Sequence, residues 1–224
     1  MMQLVCAMDL SGGQVVHGCS GNRSSYTPLT WGLSPTAEPV GYLKAIRPRY
    51  LYVADLDRIA GTGSHDEMVL GFAGLVDRCY LDRGCLGPGD ILRAPFIENV
   101  IGTETAGPDL SGFCGGYLSV DVKEGRVVPT GEDPVALLSR ADAMNIDGCI
   151  YLHITAVGSS SGIDPGEAGR IRSATDLPLL YGGGVRGEED LGILHDAGFD
   201  GAIIATALHT GAIPLDLIRR GVFC

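Results

Sequence analysis

The chain has 224 residues, 45% of them hydrophobic, with no low-complexity tract or long linker, which suits one globular domain over residues 1–224 rather than a disordered chain. Its net charge is −11 and no Lys/Arg cluster offsets it, so the overall field repels nucleic acid. No apolar run approaches the roughly 20 residues that span a bilayer, and Asp9 interrupts an opening stretch without the basic segment of a signal peptide, so neither membrane association nor export is expected.

Short β-rich runs alternate with helix-patterned segments along the chain. The pattern predicts a strand over Leu4–Asp9, a long polar connection from Gly18 to Pro39, a helix over Pro39–Ile46 and a strand over Tyr50–Asp55. A helix over Asp66–Val76 and strands over Arg78–Asp82, Asn99–Thr103 and Tyr117–Asp121 follow. Then come a helix over Asp133–Met144, a strand over Cys149–Ile154, a helix over Pro165–Ala174, a strand over Leu177–Tyr181, a helix over Glu188–Ala197 and a strand over Ala202–Ala205. Strand–helix alternation with short connections implies a parallel sheet. Eight strands in this length imply closure into an α/β fold of the (β/α)8 TIM-barrel type.

The halves resemble each other. Met8-Asp9 with Gly13 and Val15-Val16 echoes Val120-Asp121 with Gly125 and Val127-Val128. Gly84, Gly87 and Asp90 match Gly184, Gly187 and Asp190 at one offset, and Val100–Thr103 echoes Ile203–Thr206. The barrel therefore reads as two duplicated half-barrels of four strands.

In such a barrel the loops after the strands form the active face. Asp9 and Asp121 end strands one and five, which are opposed in an eight-membered ring, so they can work as an acid–base pair across one mouth. The plainer alternative is that each closes a turn. Gly182-Gly183-Gly184 follows strand seven, where backbone N–H groups can approach a phosphate without Cβ interference. Ala205 and Thr206 open the segment after strand eight, whose amides can aim at the same anion; a merely tight turn is the alternative. In the first half the equivalent glycines are replaced by Asp82-Arg83 before Gly84. The carboxylate disfavours a second phosphate, although Arg83 can offer a cationic fork, unless it pairs with Asp82 or faces solvent.

Secondary candidates for substrate contact are Arg23, Asp55, Arg83, Gly84, Thr103, His153 and Thr155. Arg23 and Tyr26 lie in the Gly18–Pro39 connection, a candidate lid, whose Trp31 either stacks on substrate or packs the loop down. Alternation places His153 and Thr155 on one side of strand six. Lys123 can in principle serve as a Schiff-base amine, though a turn lysine is usually solvated. His17, His65, His195 and His209 show no ligand spacing and read as structural or surface residues. The seven cysteines are odd in number and contain no C-x-x-C, which disfavours disulfides and zinc and fits a reducing cytoplasm. No metal site is expected.

The run Asp9-Leu10 with Gly13–Val16, Asp121, Tyr181–Val185 and Ile203–Leu208 resembles the HisA/HisF sugar-phosphate enzymes of histidine biosynthesis over nearly the whole chain. The similarity is greatest to HisA-related proteins of methanogenic archaea and methylotrophs. It implies a ribulose-phosphate-binding barrel, a biosynthetic isomerase performing an Amadori rearrangement of a phosphorylated aminoribose, with Asp9 as base, Asp121 as acid and no cofactor. Three departures separate the chain from HisA: Asp82-Arg83-Gly84 at the first-half phosphate turn, Val157–Gly162 in place of an Asp-Gly-Thr turn, and Val128–Gly131 without the tryptophan of the strand-five loop. They favour a related, singly phosphorylated substrate. HisF-like cyclase or lyase chemistry, for which this chain holds no ammonia-producing glutaminase domain, and a non-catalytic sugar-phosphate binding protein are the alternatives.

Overall fold

The computed structural model describes residues 1–18, 21–158 and 162–224. Eight parallel strands close into a ring: β1 (Met2–Ser11), β2 (Tyr50–Asp55), β3 (Arg78–Asp82), β4 (Ile97–Gly102), β5 (Tyr117–Lys123), β6 (Gly148–His153), β7 (Leu179–Gly182) and β8 (Gly201–Ile204). Each pairs with the next, and β8 returns to β1 in the register Leu4↔Ala202. The fold is a (β/α)8 TIM barrel, as the alternation predicts.

Side-chain alternation along the strands makes two apolar layers. Val5, Tyr52, Tyr80, Val100, Tyr117, Ile150, Leu180 and Ile203 point inward and fill the barrel. Their neighbours, among them Cys6, Val53, Leu81, Val120, Tyr151 and Ile204, point outward beneath the helices. Tyr80 meets Tyr117 edge to face at 5.0 Å between ring centres, a geometry suited to the ring quadrupoles. Helices α1 (Pro39–Ile46), α4 (Pro134–Ala141) and α5 (Pro165–Arg172) each begin with proline, preceded by an acidic residue whose carboxylate caps the first turn. That pairing uses proline where its missing N–H costs nothing and satisfies the free amides that follow.

The helical layer of the first half is thinner than the sequence suggests. The helix predicted over Asp66–Val76 stops as α2 at Leu70, with Gly71 at its end and Gly74 in a left-handed conformation at φ +78°. Only a 3-10 turn at Pro88–Asp90 links β3 to β4, and a single turn, α3 (Thr103–Ala106), follows β4. The second half carries α6 (Glu188–Ala197) after β7 and a matching single turn, α7 (Thr206–His209), after β8. A final helix, α8 (Leu215–Arg220), leads to Val222–Phe223, which pairs antiparallel with the start of β1.

The repeat seen in the sequence is a repeat of backbone geometry. After β3, Asp90 accepts a hydrogen bond from the Leu86 amide at 2.9 Å; after β7, Asp190 accepts one from the Arg186 amide at 2.8 Å. Gly84 and Gly184 both take positive φ, at +65° and +79°.

Candidate active site

The inward positions at the C-terminal ends of the strands decide what faces the mouth. On β1 these are Val5, Ala7 and Asp9; on β3, Tyr80 and Asp82; on β5, Tyr117, Ser119 and Asp121. Asp9, Asp82 and Asp121 therefore come together on the wall of one cavity, which also holds Arg23, Gly183 and Thr206. Asp9 and Asp121 stand on opposed strands, as the repeat predicts. Asp82 is a third carboxylate that the sequence reading treats only as an obstacle to phosphate. It faces inward because it shares the parity of Tyr80 on β3 once the ring has closed.

Each carboxylate is held differently. Asp121 is buried and accepts from Ser119 Oγ at 2.6 Å and from the Glu104 amide at 3.0 Å. Thr103 Oγ1 lies 3.3 Å from the same carboxylate and accepts the Asp121 amide at 3.0 Å. Asp82 accepts from Tyr52 Oη at 3.2 Å and from the Gly84 amide at 3.1 Å. Burial drives the Asp121 and Asp82 carboxyls well above the ordinary carboxylate range, and the neighbouring negative charge of Asp82 adds to the rise at Asp121. Asp9 is pushed up to about 7 by burial, against the pull of the Arg23 guanidinium and with a further push from Asp82. Thr103 and Gly84 thus serve the site indirectly, as hydrogen-bond partners of Asp121 and Asp82.

Across the mouth, Gly183 and Gly184 take φ of +101° and +79°. A Cβ at Gly183 would lie 2.4 Å from the His153 carbonyl oxygen, so only glycine fits there. Gly183, Gly184, Ala205 and Thr206 line the cavity. Gly182 is buried below them, where a Cβ would press on the Leu152 side chain at 2.8 Å. The Thr206 hydroxyl is buried and has no protein partner, leaving a donor ready for an anion.

The counterpart turn after β3 offers no such cradle. Arg83 neither pairs with Asp82 nor faces solvent. It is buried, with its guanidinium 2.6 Å from Asp66 and donating to the Asp90 carbonyl, and it does not line the cavity.

The connection after β1 crosses the mouth. Gly18 passes over Asp9, where a Cβ would come within 2.4 Å of Oδ2. Thr27–Pro28 pairs with the hairpin strand Gln14–His17. Arg23 reaches Glu104, beyond β4, in an ion pair of 2.5 Å. Tyr26 lines the cavity. Trp31 packs the loop down, edge-on to His17 at 5.0 Å and to His209 at 5.8 Å.

Several secondary candidates fall elsewhere. Asp55 has the outward parity of β2; it caps the Arg58 amide and holds the His65 ring at 2.8 Å, organising a turn away from the cavity. Neither His153 nor Thr155 lines the cavity: β6 ends at His153, Thr155 sits in the 3-10 turn Ile154–Ala156, and Leu152 and Ile154 line the cavity instead. Lys123 is exposed in a hairpin. His17 and His209, read as structural or surface residues, both line the cavity. His209 also binds the Tyr42 hydroxyl at 2.9 Å, and burial lowers its pKa to about 4, so it is neutral. No sequence spacing marks these two histidines, because Trp31 and α7 bring them together in the tertiary structure. Among the described residues no helix is long and apolar enough to cross a membrane.

Comparison with known proteins agrees with this architecture. Residues 110–214 match the family described as histidine biosynthesis protein. The chain is 28% identical to an uncharacterized protein of Methanocaldococcus jannaschii over 97% of both chains. It is 28% identical to the 1-(5-phosphoribosyl)-5-((5-phosphoribosylamino)methylideneamino)imidazole-4-carboxamide isomerase of Natronomonas pharaonis, covering 96% of this chain and 95% of that one. The isomerase of the same name from Thermus thermophilus is 27% identical, over 96% of this chain and 97% of that one.

Proposed function

We propose that this chain, a relative of the HisA isomerases of histidine biosynthesis, is itself an aldose–ketose isomerase that converts a phosphorylated aminoribose compound to its aminoketose. The observation that carries the reading is the pair Asp9 and Asp121 at the ends of opposed strands, in one cavity with the Gly183–Gly184 turn and the unpartnered Thr206 hydroxyl. The turn and Thr206 hold the substrate phosphate. Asp121 donates a proton to the ring oxygen, the ring opens to an imine, and Asp9 removes the proton from the neighbouring carbon to give the enolamine. Reprotonation of that enolamine yields the ketose. Two carboxyls that titrate near neutrality suit this division, because one form of each is available at the working pH. Arg23 and the loop across the mouth exclude water from the imine.

The named relatives act on a compound with two phosphoribosyl groups. Here the second half holds an anion cradle and the first half presents Asp82 with Arg83 turned away, which supports a substrate with a single phosphate. The test is direct. The protein is incubated in D2O with N-substituted 5-phosphoribosylamines and, separately, with the relatives' bis-phosphoribosyl compound, and the products are followed by NMR. Aminoketose formation from the singly phosphorylated series, faster than from the bis-phosphoribosyl compound, is expected. Preference for the latter would restore histidine biosynthesis proper. Cyclised or cleaved products would support HisF-like chemistry instead, and binding without turnover would leave a binding protein.

A further inference from the structure

We infer that Asp82 is a positioning residue for the isomerisation, sharing one proton with Asp121 so that Asp121 is protonated when substrate arrives. The inference rests on the acid role of Asp121 given above and adds a residue to it.

The geometry begins with Gly102, the last residue of β4, which lies between β3 and β5 in the ring. A Cβ on Gly102 would sit 3.1 Å from Asp121 Oδ2 and 3.6 and 3.8 Å from the two oxygens of Asp82. The two carboxyls thus converge on the space that a missing side chain leaves open. Both are buried, at 2% and 8% exposure for Asp121 and Asp82. In so dry a space each charge raises the cost of ionising the other, so the last proton is held by the pair and its titration belongs to neither residue alone.

The groups facing the pair do not neutralise it. Tyr52 from β2 donates to Asp82, and Ser119 from β5 and the backbone after β4 donate to Asp121. Asp9 on β1 and Glu104 after β4 add negative charge. Arg23, from the lid, is the facing cation, and it is engaged by Glu104 at 2.5 Å. Strands β6 to β8 contribute Leu152, Ile203 and glycine. The balance keeps the proton in the pair. The rise in both carboxyls described above points the same way. A turn built to bind a second phosphate would lack this carboxyl. Its presence gives the first half-site a different task from its duplicate.

The experiment is a 13C titration of the aspartate carboxyls in the full chain, with pH–rate profiles on the same variants. In the wild type, the Asp82 and Asp121 signals are expected to titrate together in two steps. In Asp82→Asn, Asp121 is expected to titrate in one step, lower by at least about half a pH unit, and the alkaline limb of kcat should move down with it. Asp82→Glu should restore both. Tyr52→Phe, which keeps the fold's aromatic packing, should draw the proton toward Asp82 and lower the Asp121 midpoint. An Asp121 titration and alkaline limb unchanged in Asp82→Asn would overturn the shared proton. If the titrations couple as expected but Asp121→Asn still turns over, the acid assignment fails while the shared proton stands.

Discussion

Asp9 and Asp121 end their strands in the same way, yet their surroundings differ. Asp9 is half-buried beside Arg23, whereas Asp121 is fully enclosed by its own network of donors. Asp9 has the Arg23 guanidinium to favour its ionised form, which suits proton removal from a substrate carbon, whereas the negative charge of Asp82 beside Asp121 suits retention of a proton. Replacing either by Asn keeps the shape and deletes the titration. Asp9→Asn and Asp121→Asn are each expected to lower kcat by about 10²–10⁴-fold while ligand affinity, read by calorimetry, changes little. Activity within a fewfold of wild type in either variant would remove that residue from the mechanism. The network around Asp121 also gives Thr103 a measurable part. Thr103→Val loses one contact to the carboxylate and one to the Asp121 amide, and is expected to cost about 1–3 kcal/mol in a urea unfolding measurement.

At the scale of elements, the two duplicated turns have diverged from one backbone plan. Gly84 and Gly184 keep positive φ, and Asp90 and Asp190 keep the same hydrogen bond. The residues from the strand end into the turn differ, Asp82-Arg83 against Gly182-Gly183, and with them the charge of each turn. Crystals soaked in sulfate are expected to show one strong anion beside Gly183, Gly184 and Thr206, and a weak or empty position beside Gly84 and Thr103. Two equal anions would mean that Arg83 swings free of Asp66, and would return a doubly phosphorylated substrate to first place. Gly183→Ala places a methyl group against the His153 carbonyl in a left-handed conformation. It is expected to destabilise the chain by about 1–3 kcal/mol and to abolish phosphate protection in a thermal-shift assay. Gly74→Ala, also at positive φ but with open space around it, should carry the backbone strain without the loss of phosphate binding.

Across the whole molecule, gathering three carboxylates at one mouth carries a stability cost that depends on pH. A carboxyl whose folded-state pKa is raised binds more protons folded than unfolded, so stability falls as pH rises between the two values. For Asp9 that window runs from about 4 in the unfolded chain to about 7 in the fold. The cost is absent below the window and fully present above it. The urea midpoint of the wild type is expected to fall between pH 5 and pH 8. Asp9→Asn should flatten that slope and be more stable at pH 8 by about 1–3 kcal/mol. A wild-type midpoint that rises over the same range would show that other groups dominate.

The sequence by itself determined the barrel, its duplication and the pair Asp9 and Asp121, because these depend on local pattern. Strand alternation, proline and acidic caps, and a strand-terminal aspartate repeated at one offset are written within a few residues of where they act. Strands Tyr50–Asp55 and Arg78–Asp82 and helices Pro39–Ile46 and Glu188–Ala197 match the structure end to end. Which face each side chain takes was decided by tertiary structure. Asp55 and Asp82 both end strands, but the closed ring turns one outward to His65 and the other inward to Asp121's neighbourhood. His153 loses its place to Leu152 and Ile154 for the same reason. His17 and His209, far apart in sequence, are linked at the cavity by Trp31, which packs edge-on to both. Arg83 is withdrawn by Asp66, which no neighbouring residue announces. Parity about a closed barrel is a property of register, and register is settled by which strands pair and by how far each is offset.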